Sequence, residues 1–128
     1  MAEGEIVRTS ACHCRMCRVQ NGGGAFHSAE IQGELDITRD DGLKFFAASD
    51  KAERGFCGTC GSSLFWRLKA NPSFMDISLG ALDDDSALKL DAHIFTDDGG
   101  AYETIPVDIP HLTAAEVLAK YSNDNQGK

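Results

Sequence analysis

Three cysteines fall within six residues, Cys12-His13-Cys14-Arg15-Met16-Cys17, and two more form a second cluster, Cys57-Gly58-Thr59-Cys60. No other feature restricts the fold as much. Zinc holds thiolates at about 2.3 Å in a tetrahedron, which places neighbouring sulfurs roughly 3.8 Å apart. Cys12 and Cys14 are two residues apart, so on extended backbone they face the same side, roughly 6.6 Å apart along the chain. Their side chains can converge across that gap, and Cys17 reaches the same point if the backbone turns after Cys14. His13 points away on such a chain and is not expected among the ligands.

The two clusters admit several chemistries. Three cysteine ligands with an open fourth position match a catalytic type of zinc site. Three thiolates around a divalent ion carry a net charge of −1 and suit a soft fourth ligand such as a substrate thiol, which would be deprotonated there. Cys57-x-x-Cys60 is a knuckle that normally gives two of the four ligands of a structural zinc, so it lacks two. Alternatively, Cys57 and Cys60 join two of Cys12, Cys14 and Cys17 in one closed structural site with no chemistry. A redox pair at Cys57 and Cys60 is a third reading, weakened by the lack of a βαβ pattern around it. With the knuckle half-ligated, it is expected to be empty of zinc or completed by another group or chain. Strands left unpaired by the short N-terminus are ready templates for further pairing, so a homodimer is expected.

The 128 residues suit one domain, 1–128, able to bury a modest core without disulfides. The acidic start, Met-Ala-Glu-Gly-Glu-Ile, lacks the features of a secretory signal. A cytoplasmic protein is the expectation, and clustered cysteines in a reducing compartment are more often metal ligands than disulfides. The net charge of −8 opposes binding to nucleic-acid phosphates or to anionic membranes, so neither is expected as a partner.

Short segments bounded by glycine and aspartate turns predict a mainly β, largely antiparallel domain with one C-terminal helix. Strands are expected at Glu5–Thr9, Ala25–Ile31, Glu34–Thr38, Leu43–Ala47, Ala52–Phe56, Ser63–Leu68, Phe74–Leu79 and Ala92–Thr96. Arg15 to Gln20 is read as a single helical turn stopped by Gly22–Gly24. Thr113 with Glu116 three residues later is a capping box that opens a helix over Ala114–Tyr121.

Cys12-His13-Cys14-Arg15-Met16-Cys17-Arg18, with glycine at 22 and 24, resembles the first cysteine block of the glutathione-dependent formaldehyde-activating family, which includes centromere protein V. Arg54-Gly55-Phe56-Cys57-Gly58-Thr59-Cys60-Gly61, continuing to Leu64 and Trp66, resembles its second block. Asp76 to Asp84 and Ala92 to Thr96 resemble its third and fourth. The resemblance spans about residues 11 to 110. It implies an Mss4-like β-tent fold of antiparallel sheets around zinc. It also implies a catalytic-type zinc on Cys12, Cys14 and Cys17, and a structural zinc using Cys57 and Cys60. The implied activity is that of a carbon–sulfur lyase, exemplified by addition of glutathione to formaldehyde. The family's upstream Cys-x-Cys-Gly block has no counterpart in this sequence, and its aromatic near the fourth block is matched by Tyr102 rather than tryptophan.

Arg15 and Arg18 flank the cysteine loop. Exposed arginines are commonly only solvated charge. In an acidic chain they are also the local positive charge that would admit the carboxylates of a small thiol such as glutathione. His93, more often structural on a strand, is the best candidate for a general acid or base. Two classes follow: a zinc enzyme acting on thiol adducts, or a zinc-stabilised Mss4-like binding module without turnover.

Overall fold

The computed structural model describes residues 5–32, 37–103 and 108–121. Among these residues seven strands form one sheet in the order β3-β4-β5-β6-β2-β1-β7. They are β1 (Glu5–Cys12), β2 (Phe26–Gln32), β3 (Leu43–Ala47), β4 (Ala52–Cys57), β5 (Ser63–Leu68), β6 (Met75–Ser78) and β7 (Ala92–Ile94). Helix α1 spans Arg15–Gln20, and α2 spans Ala114–Tyr121. At the start of α2, the Thr113 hydroxyl accepts from the Glu116 amide at 3.2 Å, while the Glu116 carboxylate accepts from the Thr113 amide at 3.0 Å. These reciprocal bonds satisfy two backbone donors that a helix start otherwise leaves unpaired.

The sheet is mainly β as expected, with one departure from antiparallel pairing: β7 lies parallel to β1. The pairing is anchored upstream of β7. The Thr9 amide donates to the Asp91 carboxylate at 3.0 Å, and the Asp91 amide donates back to the Thr9 hydroxyl at 3.0 Å. β7 is shorter than the sequence suggests. It ends at Ile94 because Phe95 takes left-handed backbone (φ 54), which extended pairing cannot include. β1 is longer than Glu5–Thr9. It runs to Cys12 because its last residues pair on both sides, Cys12 opposite Phe26 in β2 and Ile94 in β7. Most of the expected Glu34–Thr38 strand, 34–36, lies outside the described residues, and Ile37 and Thr38 are not in a strand. No helix among the described residues is long and apolar enough to cross a membrane.

The buried residues Ala11, Phe26, Ala29, Ile31, Ala52 and Met75 line β1, β2, β4 and β6. Cys17 and Arg54 are buried with them, so part of the sulfur cluster belongs to the core. At the β2–β6 seam, Asp76 stands opposite Glu30, which is paired to Arg8 at 2.6 Å. Burial, with the charge of Glu30 adding to it and Arg8 opposing, pushes the Asp76 carboxyl up to about 6. Its unfolded value is about 3.9. The folded state therefore holds the proton more tightly, and stability falls as pH rises from about 4 through about 6. Asp76→Asn should stabilise the protein at pH 7 by about 1 kcal/mol, after discounting for solvent access. Below pH 4 the gain should vanish. Denaturation midpoints of both proteins at pH 4 and 7 check this, and a pH-independent difference would contradict it.

Candidate metal centre

Cys12 closes β1, and the His13 amide that follows donates to the Ile94 carbonyl at 2.9 Å. Sheet pairing thus carries the chain to the point where it must turn. Cys14 is the extended residue that caps α1, its sulfur accepting from the Cys17 amide at 3.4 Å. The first helical turn then brings Cys17 back beside it. The three sulfurs all lie within 4.8 Å of one another. This is close to the sulfur spacing of a tetrahedral zinc, so the donor set fits three corners and leaves the fourth to an outside ligand. Cys12, Cys14 and Cys17 can hold a metal ion.

The thiols differ in acidity. Burial pushes Cys12 up to about 12, with Cys17 nearby adding to the shift. Burial also raises Cys17, against the pull of Arg54, which donates to its sulfur. Cys14 feels the same upward push of burial, but the Cys17 amide and its sulfur neighbours outweigh it and lower the thiol. Without metal, the cluster's negative charge therefore settles first on the capping sulfur. Metal uptake has to displace the protons that Cys12 and Cys17 hold tightly, at least two per ion, so affinity should rise steeply with pH. Proton release measured in weakly buffered metal titrations at pH 7 checks the number; release of none would contradict it.

His13 does not join the sulfurs. Its Nδ1 meets the Glu103 carboxylate, and its Nε2 lies 3.0 Å from His93 Nδ1. The contact with His13 holds the Glu103 carboxyl below the usual carboxylate range. His93 sits on β7, opposite Ala11 of β1, and is tied to the sulfur loop through His13. Sequence reasoning picked out His93 but missed the Glu103–His13–His93 chain, because Glu103 is 90 residues from His13.

Arg15 and Arg18 line one cavity of about 330 Å³ with Val19, Gly22, Gly23 and Tyr102. The Arg15 amide donates to the Asp98 carboxylate at 2.7 Å. Arg18 donates from Nε to the Asp98 carbonyl at 3.1 Å and from Nη1 to the Tyr102 hydroxyl at 3.4 Å. The 96–98 turn thus braces the arginine-bearing helix from outside. Among the described residues no carboxylate is in ion-pair contact with either guanidinium, although the charges of Asp98 and Glu103 act on Arg18 from nearby.

Cys57 and Cys60 form a separate tight loop. The Gly61 amide donates back to the Cys57 carbonyl at 2.7 Å, and this return needs φ 81 at Gly61, a conformation that glycine adopts freely. The Ser62 hydroxyl, 3.1 Å from the Cys60 sulfur, and the Ser62 backbone draw the Cys60 thiol down. Among the described residues no third ligand joins this pair, and no group unites it with the first cluster.

Residues 1–98, over three quarters of the chain, match the sequence model of a family described as glutathione-dependent formaldehyde-activating enzyme. A fission-yeast protein, named an uncharacterized lyase of Schizosaccharomyces pombe, is 28% identical over 74 residues. That match covers 56% of this chain and 53% of the yeast protein, so the chain spans about half the length of the relative. The matched region holds both cysteine clusters and ends just after β7, the strand that seats His93. By that match the chain belongs to the glutathione-dependent formaldehyde-activating enzyme family.

Proposed function

We propose that the protein is a zinc-dependent carbon–sulfur lyase acting on the adduct of a small thiol, glutathione by family likeness, with a small aldehyde. The observation that carries the reading is the convergence of three sulfurs that leave one metal position open. Helix α1, which carries Cys17, also carries Arg15 and Arg18, which line a cavity and have no ion-paired carboxylate among the described residues. The lyase name of the yeast relative points the same way.

The reaction is an addition with no net oxidation. The sulfur forms a bond to the carbonyl carbon, the C=O π pair moves to oxygen, and the proton lost by the thiol ends on that oxygen. The reverse breaks the same C–S bond. A zinc ion on Cys12, Cys14 and Cys17 would supply the positive charge that keeps a substrate thiol deprotonated at neutral pH. A free thiol of pKa about 8.5 is only a few per cent ionised there. Arg15 and Arg18 bind the thiol's carboxylates and fix its orientation. His93 moves the proton to or from the aldehyde oxygen, with His13 and Glu103 holding its ring.

The arginines contribute mainly to binding. Arg18→Ala should raise KM by about tenfold, the loss of one charged hydrogen bond, and change kcat by less than about threefold. The function itself is tested by exchange NMR between free formaldehyde and its glutathione adduct. The protein should accelerate exchange catalytically. Metal-loaded protein that binds glutathione without accelerating exchange would favour the binding module.

A further inference from the structure

Arg54 is the one charged residue among the described residues that is buried, at 4% exposed, and it lies directly behind the sulfur cluster. Its Nη2 donates to Cys17 Sγ at 3.3 Å, and its guanidinium lies 5.7 Å from the centre of the Phe26 ring. A guanidinium does not lose its proton in a protein. Burying that charge without a counter-charge is strongly unfavourable. Among the described residues no carboxylate pairs with Arg54. Its neighbour Glu53 is held by Arg67 at 2.7 Å on the same strand pair. Among the described residues the sulfur cluster, once its thiols are ionised on a metal, is the group placed to balance the charge of Arg54.

We propose that Arg54 sets the charge of the metal centre: as a permanent cation bonded to Cys17, it neutralises the excess negative charge of three thiolates around a divalent ion. Three thiolates and a divalent metal sum to −1, and the guanidinium brings the unit, whose Cys17 end is buried, to zero. The hydrogen bond also withdraws electron density from the Cys17 sulfur. Both effects favour taking an anionic thiol at the open position, because the net negative charge that opposes a fourth thiolate is removed. Arg54 is thus a positioning residue that acts on substrate through Cys17. It also gives a physical reason for an arginine three residues before the knuckle: its target is the other cluster, 37 residues away. The inference rests on the reading that Cys12, Cys14 and Cys17 hold a divalent metal.

The test is titration of the metal-free full chain with cobalt(II), and with zinc(II) against a competing chelator, for wild type, Arg54→Lys and Arg54→Gln. Arg67→Gln serves as a control that removes a cation elsewhere on the sheet. Arg54→Gln should weaken both metals by about 10–100-fold. Its sulfur-to-cobalt charge-transfer band should move to lower energy, because a sulfur that has lost a donor gives up its electron more readily. Arg54→Lys should recover most of the affinity, and Arg67→Gln should match wild type. If Arg54→Gln does not fold, Arg54→Lys decides alone, with affinity within about threefold of wild type and a shifted band. An Arg54→Gln protein that is folded, binds cobalt within twofold of wild type and keeps the band would overturn the inference. So would a folded Arg54→Lys protein with the full loss. Wild type that takes up no metal would overturn both this inference and the proposed function. Wild type that takes up metal but ignores glutathione would sink only the function, while the Arg54 series still reads out.

Discussion

Cys14→Ser should lose the metal and abolish turnover while leaving the fold in place. Cys14 has two separable jobs: its sulfur lies within 4.8 Å of the other two, and it caps α1 by accepting from the Cys17 amide. Serine is among the best helix caps, so the hydroxyl keeps the second job. It cannot keep the first, because the thiolate is the form that binds and a serine hydroxyl stays protonated at neutral pH. Metal affinity should fall roughly a hundredfold or more, since each ligand carries a share of a binding energy on the order of 10–16 kcal/mol. Metal content after desalting reads the loss. The melting temperature of the two metal-free proteins should agree within a few degrees. Retained metal with wild-type activity would show that Cys14 is only a cap.

His93→Ala should lower kcat by about 10²–10³-fold, the range for removal of a general acid–base group, with little change in KM. Added imidazole should restore part of the rate. Glu103→Gln should cause a smaller loss, because Glu103 acts on His93 through His13 rather than on substrate. The order of the effects is the informative part. If His93 were only structural, the substitution would lower the melting temperature, imidazole would not help, and Glu103→Gln would leave the rate unchanged.

The parts of the site legible in the sequence were those whose cause is local. Cysteines at 12, 14 and 17 meet because a strand end and one helical turn suffice to join them, and Thr113 with Glu116 caps α2 within four residues. The strands β3 and β5 and both helices fall at the residues their patterns suggest. Long-range features left no local signal. The parallel β1–β7 pair depends on Asp91 reaching Thr9 across 82 residues. Nothing near Ile94 announces that Phe95 turns left-handed and ends the strand. His13 reads as an idle residue between two ligands until Glu103 and His93 close on its two ring nitrogens. Arg54 reads as one more strand arginine until its sulfur partner and its burial are known.

X-ray absorption at the zinc edge, on the native chain with and without saturating glutathione, reads the ligand set of the metal directly. Bound zinc with sulfur-rich ligation is expected before addition, and one further sulfur ligand after it. Cobalt-substituted protein should show a matching change in its charge-transfer band. Native protein that holds no zinc, or whose metal ligation and occupancy stay the same across glutathione and several other small thiols, would contradict a thiol-binding metal centre at Cys12, Cys14 and Cys17.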